Sequence, residues 1–264
     1  MAIIIAALAW FGLSFGSFAA ALVWRLHSGK DWVKDRSQCE HCGHTLSALD
    51  LIPFFSWIFL KGRCRYCRNK IGAEPFIVET AGGVIFVLSY LLWPYSLDNS
   101  QLLLFGTWLA CSVGLLALFV YDLKWMLLPT KIVYSTAVVA AAGRLAYIGI
   151  YENDKPRAIG LWLLSLGVAS GIFWILYQIN ERFIGGGDIR LGLITGTLLA
   201  TPLKSFLMIF LASLMGTALM LPAMSSGSRG LRSKLPYGPF LIAATAIVLF
   251  YGQSVINWYT QLTF

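Results

Sequence analysis

Two aspartates in an apolar chain carry the clearest chemistry. Asp188 follows three glycines, in Gly185-Gly186-Gly187-Asp188. Asp122 closes an earlier apolar stretch, in Val120-Tyr121-Asp122-Leu123-Lys124-Trp125-Met126-Leu127-Leu128-Pro129. Ionisable groups at membrane depth are costly, so each is read as functional. Two carboxylates that share one proton can act as an acid/base pair. Plainer readings exist for both. Asp188 suits a helix N-cap, and Asp122 suits a charge at the membrane interface. The glycine run weighs against the plainer reading of Asp188. Glycine tolerates φ > 0 and lets the backbone approach another group closely, so Gly185 and Gly187 are read as supporting the acid.

A second constellation is Cys39-Glu40-His41-Cys42 and Cys64-Arg65-Tyr66-Cys67, with 21 residues between the pairs. Two CxxC knuckles at this separation fit a tetrahedral four-thiolate zinc site. Two disulfides are the alternative, disfavoured in a reducing cytoplasm. A thioredoxin-like redox site needs one CxxC in a βαβ context. Four thiolates leave no open position, so the metal is expected to be structural, with His41 and His44 as bystanders. Cys111 stands alone in an apolar segment and reads as a packed core thiol.

These residues sit in a membrane protein. Of 264 residues, 58% are hydrophobic and 12% charged, against about 25% charged in soluble domains. The net charge of +8 does not point to nucleic acid, because basic residues in a membrane protein gather in cytoplasmic loops. The expected fold is an all-α polytopic membrane protein of about eight transmembrane helices, with a small cytoplasmic zinc-binding insert after the first. Apolar segments run at 2–24, 76–93, 101–121, 130–150, 158–179, 189–201, 203–223 and 238–262. The 189–201 segment is short and glycine-containing, the kind of half-helix beside which membrane sites are built. Three parts follow: a first helix (1–24), a zinc-knuckle insert (25–75) and a membrane-embedded core (76–264). The first helix lacks the basic n-region and cleavage site of a signal peptide, so it is expected to be retained with its N-terminus outside. Between the knuckles, Leu51–Leu60 is too short to span and is expected on the membrane surface or docked on the helices.

Charge sets the orientation. The insert holds nine of the 20 Lys/Arg residues. If it is cytoplasmic, the loops 121–131, 180–190 and 223–237 are too, and that face holds 16 of the 20. The positive-inside rule supports this arrangement, which places Asp122 and Asp188 on one face. Asp122 follows a helix and Asp188 precedes one. Helix dipoles would then make Asp188 the ionised base and Asp122 the protonated acid.

The ordered set of motifs is similar to the type IV prepilin peptidases, bifunctional leader peptidases and N-methyltransferases of the aspartic class. Gly16-Ser17-Phe18 and Trp24-Arg25-Leu26 resemble the family's opening. The CxxC pairs, Leu51-Ile52-Pro53, Ser56-Trp57 and Val78-Glu79 resemble its next motifs. Asp122 with Leu128-Pro129 resembles the first catalytic motif, Gly185–Asp188 the GxGD motif, and Pro236-Tyr237-Gly238-Pro239-Phe240 the late one. Thr130, Ala20 and Thr80-Ala81-Gly82 depart from the family pattern.

The resemblance implies a bacterial inner-membrane enzyme with Asp122 and Asp188 as catalytic residues. Its substrates would be type IV prepilins or pseudopilins, cut after a short basic leader at the cytoplasmic edge of the bilayer. It further implies N-methylation of the new N-terminus from S-adenosylmethionine. Two other classes compete. A presenilin-like aspartic protease shares Tyr121-Asp122 and the GxGD pattern but has no four-cysteine insert. A proton-coupled transporter would place its carboxylates at the midplane rather than at segment ends. A non-catalytic scaffold around a zinc knuckle is the remaining alternative.

Overall fold

The computed structural model describes residues 1–31, 34–179, 185–225 and 236–263, without the side chains of 222–225 and 263. The basic residues Arg182, Arg229, Arg232 and Lys234 of the expected loops lie outside the described residues. Nine helices account for the regular structure described: α1 (Ala2–His27), α2 (Phe55–Phe59), α3 (Glu74–Leu91), α4 (Asn99–Trp125), α5 (Thr130–Tyr151), α6 (Lys155–Ile179), α7 (Gly186–Leu199), α8 (Pro202–Ser225) and α9 (Gly238–Thr263). A 3₁₀ turn, Ala48–Leu51, precedes α2. Seven of the helices are long and apolar enough to cross a membrane: α1, α3, α4, α5, α6, α8 and α9. The eighth apolar segment is α7, whose 14 residues reach about 21 Å at ~1.5 Å per residue, short of a ~30 Å hydrocarbon core.

Local signals set the ends of α4. Asp98 caps its start by accepting the Gln101 N–H at 2.9 Å, which satisfies one of the orphan donors there. At the other end Met126 takes a left-handed conformation, φ 54°, and turns the chain toward Pro129 and α5.

The chain divides into two compact units. In the first, residues 1–92 with 112–120, α1 packs on α3 through glycine. A Cβ on Gly12 would lie 2.5 Å from the Gly82 carbonyl oxygen, and one on Gly16 would lie 2.8 Å from the Glu79 Cα. In lipid no hydrophobic force pulls helices together, so small residues that let backbones touch supply the contact.

The second unit, residues 93–111 with 121–264, uses the same device around α7. Gly192 and Gly196 pack against α6, where added Cβ atoms would lie 2.5 Å from the Ala169 oxygen and 2.9 Å from the Ala169 Cβ. Ser165 Oγ donates to the Gly196 carbonyl at 2.8 Å and shares a 2.7 Å hydrogen bond with Ser205 Oγ. Trp162 Nε1 donates to Thr197 Oγ1 at 3.2 Å. Leu191, Ile194 and Thr195 are wholly buried. A helix too short to span is thus enclosed by protein, where its polar groups find partners.

Gly192→Val should therefore destabilise the unit by about 1–3 kcal/mol or more, the cost of overpacking a tight contact. Gly167 of the same α6–α7 region has open space around its Cα, so Gly167→Val should change stability by less than about 0.5 kcal/mol. Thermal unfolding in detergent compares the two; equal losses would mean that α7 is not held by this contact.

Candidate active site and cysteine cluster

Asp122 lies inside the last turn of α4 rather than after it, and is 5% exposed. A carboxylate buried this way needs a donor. It has one in Gly238, whose N–H donates to Asp122 Oδ2 at 3.1 Å. Gly238 is the first residue of α9, so the donor is one of the N–H groups a helix N-terminus leaves without an internal partner. A Cβ on Gly238 would lie 2.6 Å from Oδ2, closer than a carbon can sit. Tyr237, next in the chain, packs its ring edge-on to Phe173 at 5.8 Å. Its hydroxyl shares a 3.1 Å hydrogen bond with Ser213.

Asp188 is half-buried in the first turn of α7, after the N-cap Gly185. Its N–H donates to the Gly185 carbonyl at 3.0 Å. A Cβ on Gly238 would meet both Asp122 Oδ2 at 2.6 Å and Leu191 Cδ2 at 3.6 Å, so Asp122 lies against the α7 turn that follows Asp188, and the two acids expected as a pair share one locality. Two contacts hold their segments together. A Cβ on Gly187 would lie 3.0 Å from Leu128 Cδ1, and Arg190 Nη1 donates to Thr130 Oγ1 at 3.3 Å. Thr130, a departure from the family pattern, is therefore a partner of the residue two places after Asp188.

Of the two uses expected of the glycine run, close approach is the one seen. Gly185 has φ −75°, and among the described residues the glycines with positive φ are Gly29, Gly43 and Gly62. Gly186 and Gly187 belong to α7 itself, and Gly187 contributes space for Leu128 rather than a left-handed turn. The dipole assignment of acid and base also loses its footing. Asp122 sits at the C-terminal end of α4 but faces the N-terminus of α9, and Asp188 lies at the N-terminus of α7. Helix ends no longer separate the two acids. Gly238, Leu128 and Arg190 were not singled out as site residues from sequence. The late motif Pro236–Phe240 was the visible sign of Gly238, but nothing in it says that its amide meets Asp122.

In the first unit, one thiol sulfur from each of Cys39, Cys42, Cys64 and Cys67 lies within 4.8 Å of the others. Cys39 Sγ and Cys67 Sγ are 3.8 Å apart. A disulfide needs ~2.05 Å, whereas a tetrahedron with ~2.3 Å metal–sulfur bonds has edges of about 3.8 Å. The donor set thus fits a tetrahedral metal. The two knuckles repeat one another in detail. Cys39 N–H donates to the His44 carbonyl at 3.0 Å and Cys64 N–H to the Asn69 carbonyl at 2.9 Å. Gly43 and Arg68, each following the second cysteine of its knuckle, both take left-handed backbone, φ 68° and 61°. Burial raises the Cys39 thiol, but the backbone N–H groups of Cys42 and His41 and the neighbouring sulfurs outweigh it and lower it to about 6. The His44 ring lies against Tyr66, centroids 3.6 Å apart and tilted by 37°, and stands outside the four-sulfur group. Cys111 is fully buried, as expected of a core thiol.

Asp50 braces the second knuckle. It accepts from Arg65 Nε and, at 3.0 Å, from the Tyr66 hydroxyl. Burial raises its carboxyl, yet Arg65, Ser47 and Tyr66 together lower it to about 2. A carboxyl depressed in the folded state stabilises above its unfolded value, ~3.9, and that contribution disappears as pH falls through about 2. Asp50→Asn should therefore destabilise the insert near neutral pH, and its difference from wild type should shrink between about pH 4 and pH 2. Limited proteolysis of the insert across this window reads it; a difference that does not depend on pH would remove the charge from the account.

Two family models match the chain. Residues 10–93, which hold the four clustered cysteines, match the Bacterial Peptidase A24 N-terminal domain. Residues 109–221, which hold both aspartates, match the Type IV leader peptidase family. A prepilin leader peptidase/N-methyltransferase of Bacillus subtilis is 29% identical over 257 residues, 96% of each chain. One of Vibrio cholerae is 30% identical over 90% of this chain and 93% of its own. One of Burkholderia pseudomallei is 33% identical over 82% of this chain and 67% of its own. No solved structure matches.

Proposed function

The chain belongs to the type IV leader peptidase family, and we propose that Asp122 and Asp188 are the catalytic pair with which it cuts leader peptides from type IV prepilins or pseudopilins. It is an aspartic peptidase of the kind its relatives' names describe, prepilin leader peptidase/N-methyltransferase. The observation that carries the assignment is the shared locality of two acids from separate motifs, one buried against the α9 N-terminus and one in the first turn of α7.

The chemistry follows from two carboxylates holding one proton. The ionised one takes a proton from water, and the water attacks the scissile carbonyl. The protonated one gives its proton to the carbonyl oxygen as the tetrahedral diol forms. The proton taken from water then passes to the leaving amine as the C–N bond breaks, and a diol hydroxyl returns one proton to the carboxylate pair. No acyl-enzyme forms, because neither carboxylate bonds to the substrate. The Gly238 N–H, fixed by Tyr237 and its Ser213 partner, orients Asp122. Arg190 and Leu128 keep the Asp122 and Asp188 segments in register.

The rest of the reading divides the chain as a first helix (1–24), an insert (25–75) and a peptidase core (76–264). The insert faces the cytoplasm and holds zinc through Cys39, Cys42, Cys64 and Cys67, a structural role since four thiolates close the coordination sphere. In the second activity S-adenosylmethionine supplies the methyl group for the new N-terminus. The Thr80-Ala81-Gly82 stretch, where the chain departs from the family pattern, is occupied by the α1–α3 contact through Gly82 and does not fit a donor site. A presenilin-like protease is the second reading; the cysteine insert favours the first.

Asp122→Asn and Asp188→Asn should each abolish leader removal from a co-expressed prepilin while the protein still inserts. Gel-shift of the prepilin measures it, and substantial turnover by either variant would sink the two-aspartate mechanism. Purified protein should carry about one zinc per chain, and Cys39→Ser or Cys64→Ser should lose it along with insert stability. Four freely labelled thiols and no zinc in the wild type would contradict the metal reading.

A further inference from the structure

The stretch between the knuckles, Leu51-Ile52-Pro53-Phe54-Phe55-Ser56-Trp57-Ile58-Phe59-Leu60, takes no part in the chemistry above. Its helix α2 has two unlike faces. Trp57 points inward. Its ring stacks on Phe76 of α3 at 4.7 Å, covers Gly62, and donates through Nε1 to the Gly72 carbonyl at 3.3 Å. Phe54 also stacks on Phe76, at 5.1 Å. Phe55, Ile58 and Phe59 stand at i, i+3 and i+4, hence on one face. They are 41%, 44% and 80% exposed, and Leu51 of the preceding 3₁₀ turn is exposed as well.

The depth of this face is set by a buried acid. Phe54 N–H donates to Glu79 Oε2 at 2.7 Å. Glu79 is 9% exposed and also bonds Ser17 of α1. It is the sixth residue of α3, a helix long and apolar enough to cross the membrane from Glu74 onward. At ~1.5 Å per residue it lies about 7 Å along that helix from its start. Phe54 has φ 65° and ψ −55°, the strained centre of a γ-turn in which the Phe55 N–H donates to the Pro53 carbonyl at 2.6 Å. The bond to Glu79 and the stack on Phe76 hold it there. The loop is thus fastened beside the first turns of a membrane span, not above them.

Charge follows directly. Residues 61–70 carry Lys61, Arg63, Arg65, Arg68 and Lys70 and no acid. Arg65 is paired with Asp50, and the other four cations still outnumber the two negative charges that four thiolates and one divalent metal would leave. An apolar ridge beside a basic strip is the pattern of a segment lying in the membrane interface, with cations over anionic headgroups.

We infer that α2 is an interfacial foot: the face of Phe55, Ile58 and Phe59 is seated in the lipid interface of the leaflet that carries the insert, and residues 61–70 lie over anionic headgroups. The cysteine insert is then anchored twice, by Glu79 to α3 and by α2 to lipid. Its fastening beside the first turns of α3 favours lipid over a helical protein partner.

The test uses the full-length, metal-loaded protein in nanodiscs of phosphatidylcholine and phosphatidylglycerol doped with a phospholipid bearing a diazirine near the headgroup end of its acyl chain. After irradiation, adducts are mapped by mass spectrometry. Lipid adducts are expected on residues 51–59 as well as on α3, and their loss from 51–59 in a Phe55→Ser/Ile58→Ser/Phe59→Ser variant that retains its metal. The wild-type map decides alone if that variant loses the metal. Adducts along α3 with none on 51–59 would overturn the inference. So would labelling of 51–59 by a photoreactive prepilin but not by lipid, which would make the face a protein-docking surface.

Discussion

A carboxylate shut away from water must find its donors inside the protein, and Asp122 finds one at the start of another helix. The Gly238 N–H does two jobs in one contact. It satisfies a helix-end donor that has no partner within α9, and it gives a buried acid a fixed orientation. The end of α4 and the start of α9 are thereby tied at one point. The start of α7 is tied to the same region by Leu128 on Gly187 and by Arg190 on Thr130. The short α7 can stay short because protein, not lipid, surrounds it.

Glycine serves two separate physical ends in this chain. At Gly43 and Gly62 the backbone is left-handed, and the residue is there for conformational freedom. At Gly12, Gly16, Gly82, Gly192, Gly196 and Gly238 the neighbour's backbone or carboxylate occupies the space a Cβ would take. The second use dominates inside the membrane, where close packing replaces the hydrophobic effect as the force between helices.

Glu79 plays in the first unit a part comparable to that of Gly238 in the second. A buried acid accepts the Phe54 N–H and a bond from Ser17, so one side chain joins α1, α3 and the insert. The paired knuckles with their matching left-handed residues make the rest of the insert a near-repeat of one turn design. Asp50 locks its second half.

Sequence alone determined what depends on local pattern. Apolar runs long enough to span appear as helices within a few residues of their expected ends, because hydrophobic length is a property of the segment itself. The four cysteines announced a metal-fitting cluster by spacing, since a CxxC turn already holds two thiols close together. Both aspartates stood out because an acid in an apolar chain is conspicuous. The tertiary structure decided what each acid touches. That Gly238 donates to Asp122, that Gly187 makes room for Leu128, and that Thr130 meets Arg190 are contacts between residues far apart in the chain, and no periodicity encodes them. The helix-dipole argument was incomplete for the same reason. It considered each acid at the end of its own helix, whereas the field at Asp122 also comes from the α9 N-terminus that packing brings to it.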